Sequence, residues 1–136
     1  MTAPSLRWPT TLRWAAVVPV ALLAAGVVQA AFMALGLLVA TPEYAYADGS
    51  DWVLMTIKSV ASVFMCAAFV GAAAWTAPAN RHGLAVVAVT VVLAWALVPL
   101  VLDGSDGAIN PGHIALRGAG IAGALAVAAL VARRGT

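Results

Sequence analysis

Two basic side chains, Lys58 and Arg117, lie inside long apolar runs of this 136-residue sequence. A charge within a membrane-spanning segment is costly, so such residues line ligand sites or ion pathways, or extend toward the lipid headgroups. His113 precedes Arg117 by one helical turn, on the same helix face. Gln29 is a third long polar side chain within an apolar run. These four residues are the candidates for a ligand site.

The depth of these residues predicts that they share one level. Counted by helical rise from Arg13, Trp75 and Arg133 at the inner ends of their runs, the side chains lie about 24 to 25 Å deep. They are, in the same order, Gln29, Lys58 and Arg117. One hypothesis is an outward-facing cationic vestibule that accepts an anionic headgroup, a carboxylate ligand or an acidic residue of a partner. Its roof would be formed by acidic loop residues, namely Asp51, Asp103 and Asp106. The alternative is that Lys58 and Arg117 extend to the headgroups and bind nothing specific.

The polar stretch VLDGSDGAINPGHIALRG, residues 101–118, offers carboxylate, amide and imidazole groups. It lacks the calcium-loop pattern because serine and glycine occupy two of the ligand positions. No second histidine or cysteine lies near His113 for a zinc site. Asn110 followed by Pro111 is instead typical of a capped helix start. We therefore predict a hairpin with no metal, no cofactor and no catalytic residue.

The composition indicates which elements position these groups. The sequence is 64% hydrophobic and 9% charged, which is too little polar surface for a water-soluble globule. Four apolar runs, at about 14–40, 52–77, 84–102 and 114–132, are long enough or nearly long enough to cross a bilayer as helices. We predict an all-α integral membrane protein, a single domain over residues 1–136, with four transmembrane helices in an up-down-up-down bundle.

Charge placement predicts the orientation of the spans. The five arginines other than Arg117 fall at the amino terminus, in the second connection and at the carboxyl terminus, whereas all five acidic residues fall in the first and third connections. The positive-inside rule then places both termini in the cytoplasm. An alternative is that Arg7, Arg13 and the small residues VQA at 28–30 form a cleaved signal peptide, which would leave three spans.

Small residues four apart predict how the helices pack. Lipid provides no hydrophobic drive for helix association, so close approach of backbones at such positions becomes important. The packing residues predicted on the second and fourth helices are Ala67, Gly71, Gly118, Gly120, Ala122 and Ala124. The surplus of small residues on the fourth helix also permits a homo-oligomer or docking onto a larger membrane protein.

The run VVLAWALVPLVLDGSDGAINPGHIALRGAGIAGALAVAAL, residues 91–130, resembles small, uncharacterised four-span integral membrane proteins of actinobacteria. In that group the third helix ends at a proline, here Pro99, a short polar loop follows, and a histidine opens the fourth helix, here His113. The resemblance implies a bacterial plasma-membrane location and no particular activity.

Three functions remain open. The favoured one is a non-enzymatic accessory or scaffolding subunit, or a protein that contacts lipid in the outer leaflet. The second is a small transporter or channel component that uses the cationic vestibule. A membrane enzyme with His113 as acid or base has the least support. The expected partners are membrane lipids and other membrane helices, and scattered single arginines do not indicate nucleic-acid binding.

Overall fold

The computed structural model describes residues 9–39, 52–105 and 111–134, and these residues are helical apart from Pro9 and a short turn. The four helices in this part of the chain are α1 (Thr10–Val39), α2 (Trp52–Thr76), α3 (Arg81–Ser105) and α4 (Pro111–Arg134). Each is long and apolar enough to cross a membrane, which confirms the prediction of an all-α chain with four helices of membrane-spanning length. Helices α1, α3 and α4 begin three or four residues before the predicted spans.

Residues just outside the apolar runs explain the earlier starts of α3 and α4. The Asn80 side-chain Oδ1 accepts a hydrogen bond from the Gly83 N–H at 3.1 Å, and the Asn80 carbonyl accepts one from the Leu84 N–H at 3.1 Å. Asn80 has a φ of 51°, a left-handed conformation that asparagine adopts more readily than most residues. It therefore caps α3. Pro111 opens α4, where its missing N–H is not needed, and the predicted cap Asn110 lies outside the described residues.

Helix α2 occupies the centre of the arrangement. It contacts each of the other three helices, and α4 also contacts α3, whereas α1 contacts α2 alone among the described helices. The buried cluster around α2 consists mainly of alanine and valine, and Val70 is its largest fully buried side chain. The helices therefore meet through short side chains, the mode of contact that favours association in lipid.

The outward faces of the helices are apolar. Leu37 and Leu38 on α1 expose 81% and 85% of their surface, and Trp75 on α2 exposes 75%. Two threonines in the spans, Thr76 and Thr90, donate their hydroxyls to carbonyls four residues earlier in their own helices. Large exposed apolar side chains combined with internally satisfied hydroxyls fit a surface that faces lipid.

Candidate functional site

Arg117 lies against α3. Its Nη1 donates to the carbonyl oxygens of Trp95 and Ala96, at 2.9 Å and 3.2 Å. The guanidinium carbon also lies 5.4 Å from the centroid of the Trp95 ring, within the range of a cation–π contact. The half-buried Arg117 side chain therefore links α4 to the main chain of α3.

Pro99 explains why main-chain oxygens of α3 are available to Arg117. In an α-helix the N–H of residue 99 would donate to the carbonyl of Trp95, and proline has no N–H. A carbonyl without a hydrogen-bond donor inside a bilayer costs roughly several kcal/mol of free energy. Arg117 supplies the missing donor from the neighbouring helix, and its charge strengthens the bond.

Lys58 and His113 are exposed, on α2 and α4 respectively. A Cβ built on Gly120 would lie 2.6 Å from Ser62 Oγ, so these two residues face each other across the two helices. Residue numbers increase in the same direction along both helices at this contact. Lys58 precedes Ser62 by four residues, and Arg117 precedes Gly120 by three. Lys58 and Arg117 therefore lie within about one helical turn of the same height.

Gln29 is not brought to Arg117. It is exposed on α1, and α1 makes no contact with α4 in the described part of the chain. The predicted acidic roof lies outside the described part of the chain. Residues 51 and 106 and the side chain of residue 103 are not among the described residues. Of the residues predicted to form a vestibule, Lys58 and Arg117 therefore lie at a similar height, with Lys58 exposed and Arg117 bonded to α3.

The contact between α2 and α4, here the α2–α4 interface, is built on two glycines. A Cβ at Gly123 would collide with the carbonyl oxygen of Val63, and one at Gly120 would meet Ser62 Oγ at 2.6 Å and Cys66 Sγ at 3.0 Å. Ala124 is fully buried there. The helix backbones approach more closely than any residue with a Cβ at Gly123 would allow.

The predicted packing residues separate into two groups. Gly120 and Ala124 lie in the α2–α4 interface, Gly71 has Val127 within ordinary contact distance, and Ala67 is half-buried. Gly118 and Ala122 are exposed, and a Cβ on Gly118 would have no neighbour within 4 Å. The four-residue spacing predicted both pairs, and it missed Gly123, which lies three residues after Gly120.

Ser62 was not singled out as a buried residue from the sequence. It is 4% exposed, and its Oγ has no hydrogen-bond partner among the described residues. A serine in a transmembrane helix commonly donates to a carbonyl of its own helix. Its position at the α2–α4 interface makes Ser62 a packing residue.

Basic residues at the carboxyl end of α4, the end away from Arg117, border a groove that was not predicted from the sequence. Arg81 and His82 begin α3, and Arg134 ends α4, with all three lining the groove. The sequence used these arginines only to orient the spans. The groove could have been anticipated because these basic residues lie at helix ends that a four-helix bundle brings to the same side.

Compared with known protein families, with curated proteins and with solved structures, the chain has no match. The resemblance to actinobacterial four-span proteins stays a prediction.

Proposed function

We propose that this protein is a non-enzymatic accessory subunit of a bacterial plasma membrane that docks onto another membrane protein through the outer face of α4. The observation that carries the proposal is the exposed pair Gly118 and Ala122. These small residues face away from α2, and a Cβ on Gly118 would meet nothing within 4 Å. A helix surface of this kind allows a second backbone to approach closely.

Exposed large side chains on the other helices give weaker support for docking. Leucines such as Leu22 and Leu23 on α1 are solvated well by lipid tails, so their exposure requires no protein partner. Small residues differ because they present little surface to lipid and leave backbone accessible to a neighbouring helix. Docking through α4 therefore has a physical reason that the α1 face lacks.

The proposed topology has four spans of alternating direction with both termini in the cytoplasm. Its support comes from two contacts between α1 and α2, along which residue numbers increase in one helix and decrease in the other. Arg13, near the start of α1, donates at 3.5 Å to the carbonyl of Ala77, just after α2. Phe32 stacks on Phe64 at a centroid distance of 5.7 Å. The positive-inside rule supplies the side.

The alternative of a transporter with a cationic vestibule has less support. Arg117, its central cation, already donates to two carbonyls of α3. A ligand would have to compete with charge-assisted hydrogen bonds that satisfy a proline-disrupted helix. Lys58 and His113 remain exposed at that end and are the residues that a vestibule would use.

A purification experiment with matched variants tests the docking proposal. Gly118→Leu and Ala122→Leu add bulk to the outer face of α4, and Ala94→Leu adds similar bulk to an exposed position on α3. Each tagged variant is purified from its native membrane in mild detergent, and the co-purifying proteins are quantified by mass spectrometry. We expect the amount of one co-purifying membrane protein to fall by about tenfold or more with each of the two α4 variants and to stay unchanged with Ala94→Leu.

Two results would contradict docking through α4. One is the same set of co-purifying proteins for all three variants. The other is no stoichiometric partner for the unmodified protein together with a monomeric mass in detergent. Loss of a homo-oligomer in the two α4 variants would support the same face and identify its occupant as a second copy.

A further inference from the structure

A groove of about 760 Å³ opens between the end of α2, the start of α3 and the end of α4. Its polar rim contains two arginines and a histidine, Arg81, His82 and Arg134, all of them exposed. Asn80 lies beside them but uses its side-chain oxygen to cap α3. The rim therefore concentrates positive charge from two helices at one opening.

The rest of the groove is apolar. Val127, Leu130 and Val131 line it from α4, and the indole of Trp75 lines it from α2. Leu130 and Trp75 are more than half exposed, so the apolar part is accessible from the side of the bundle. A ligand that fills the groove needs an apolar portion next to an anionic group.

The charge of the rim has no counterpart within the groove. Among the described residues its lining contains no aspartate or glutamate, and the five acidic residues of the sequence all fall in the first and third connections or the last turn of α3. The rim residues belong to the start of α3 and the end of α4, and the start of α3 follows the carboxyl end of α2, whereas the first connection precedes its amino end. An anion from outside the chain is therefore the complement that the rim favours.

We propose that this groove binds a glycerophospholipid with an anionic headgroup, its phosphate between Arg81 and Arg134 and an acyl chain along the valines of α4. Basic pockets between membrane helices favour such lipids, because anionic lipid attracts arginine at the headgroup level and the chains remain in hydrocarbon. The groove volume lies within the range of ligand pockets and suits a headgroup with part of its chains. This inference concerns a different surface from the docking face on α4.

Lipid binding by the purified full chain tests the proposal. The protein in neutral detergent is titrated with phosphatidylglycerol, and binding is measured by native mass spectrometry. Phosphatidylcholine with the same acyl chains tests the headgroup, and glycerol 3-phosphate tests a free phosphate without chains. We expect phosphatidylglycerol to bind at least about tenfold more tightly than either.

Matched arginine variants locate the site. Arg81→Gln combined with Arg134→Gln should weaken phosphatidylglycerol binding about 10- to 30-fold. Arg133→Gln changes a neighbouring arginine outside the groove lining, and we expect a change below about threefold. The unfolding midpoint of each variant, measured by circular dichroism, checks that the bundle is retained.

Three outcomes would overturn the proposal. Equal binding of phosphatidylcholine and phosphatidylglycerol would remove the role of the anionic headgroup, and this comparison needs no variant. Displacement of lipid by glycerol 3-phosphate at matching concentration would indicate a site for soluble phosphate compounds. If Arg133→Gln weakened phosphatidylglycerol binding as much, per arginine, as the double groove variant, general surface charge would account for the binding.

Discussion

Arg117 illustrates how a charged residue within a membrane span can serve the fold. It donates to the carbonyl oxygen of Trp95, whose usual helical donor is absent because residue 99 is proline. Its guanidinium also lies over the Trp95 ring. The same side chain therefore satisfies a backbone acceptor and holds α4 against α3.

A double-mutant cycle between Arg117 and Pro99 tests this role. Arg117→Leu should lower the free energy of unfolding by about 2 kcal/mol, because a charge-assisted hydrogen bond is lost and a carbonyl is left without its donor. In the Pro99→Ala background the residue-99 N–H satisfies Trp95, so the loss should fall to about 1 kcal/mol. Unfolding in mixed micelles with increasing denaturing detergent measures both values.

Additive effects in that cycle would show that Arg117 does not compensate for Pro99. Arg117→Lys serves as a control, since it keeps the charge and a donor but not the planar guanidinium. We expect it to retain part of the stability that Arg117→Leu loses.

The sequence identified Arg117 as an intramembrane cation and noted Pro99 in the third span, but it did not predict that Arg117 would donate to the Trp95 carbonyl that Pro99 leaves without a donor. Their separation of eighteen residues includes a loop, and the rotation of α4 about its axis decides which neighbour Arg117 meets. Depth can be estimated from helical rise, whereas rotation cannot. The height shared with Lys58 agrees with the structure for this reason, and the lateral partner of Arg117 was not predicted.

At the scale of the helices, the α2–α4 interface is the closest contact. Gly123 lies so near the carbonyl of Val63 that a methyl group there would collide with backbone. Backbone in the middle of a packed helix cannot move aside without shifting the whole helix. Gly120 is less constrained, because its nearest obstacle is the Ser62 side chain.

Matched glycine substitutions test this interface. Gly123→Ala should lower the free energy of unfolding by about 2 to 3 kcal/mol through overpacking. Gly118→Ala adds the same methyl group to the same helix at an open position, so it should change stability by no more than about 0.5 kcal/mol or raise it slightly. The same detergent-unfolding assay compares them. Equal effects of the two substitutions would mean that α4 packs through a different face.

The spacing of small residues predicted that α4 packs closely but not through which face. Gly118 with Ala122, and Gly120 with Ala124, have the same four-residue spacing. Only the second pair lies against α2, whereas Gly118 and Ala122 are exposed. Gly123 adds a three-residue spacing that a search for four-residue pairs does not include.

At the scale of the whole molecule, α2 is the shared partner and α1 is peripheral. Among the four described helices α1 contacts α2 alone, so most of its described surface is available to lipid or to another protein. The core consists of short side chains and the exterior of large ones. This distribution is the one expected when lipid is the solvent and close helix approach supplies the stability.

Composition and run length were sufficient to predict the fold class and the four helices, because hydrocarbon permits few alternatives for the backbone. The side on which each helix end lies depends on the membrane and its insertion machinery, and the positive-inside rule remains its basis. The groove near Arg81 was not predicted, since residues from α2, α3 and α4 form it only after packing.

Labelling of single cysteines on the two sides of α3 tests the central claim, that basic ends face the cytoplasm and acidic loops face outward. In a Cys66→Ser background, Ala79→Cys lies in the α2–α3 turn and Ala108→Cys in the third connection. Intact cells are treated with a maleimide that cannot cross the membrane. The account predicts labelling at position 108 without permeabilisation and at position 79 only after it, whereas labelling of both positions from the same side, or of position 79 alone in intact cells, would contradict it.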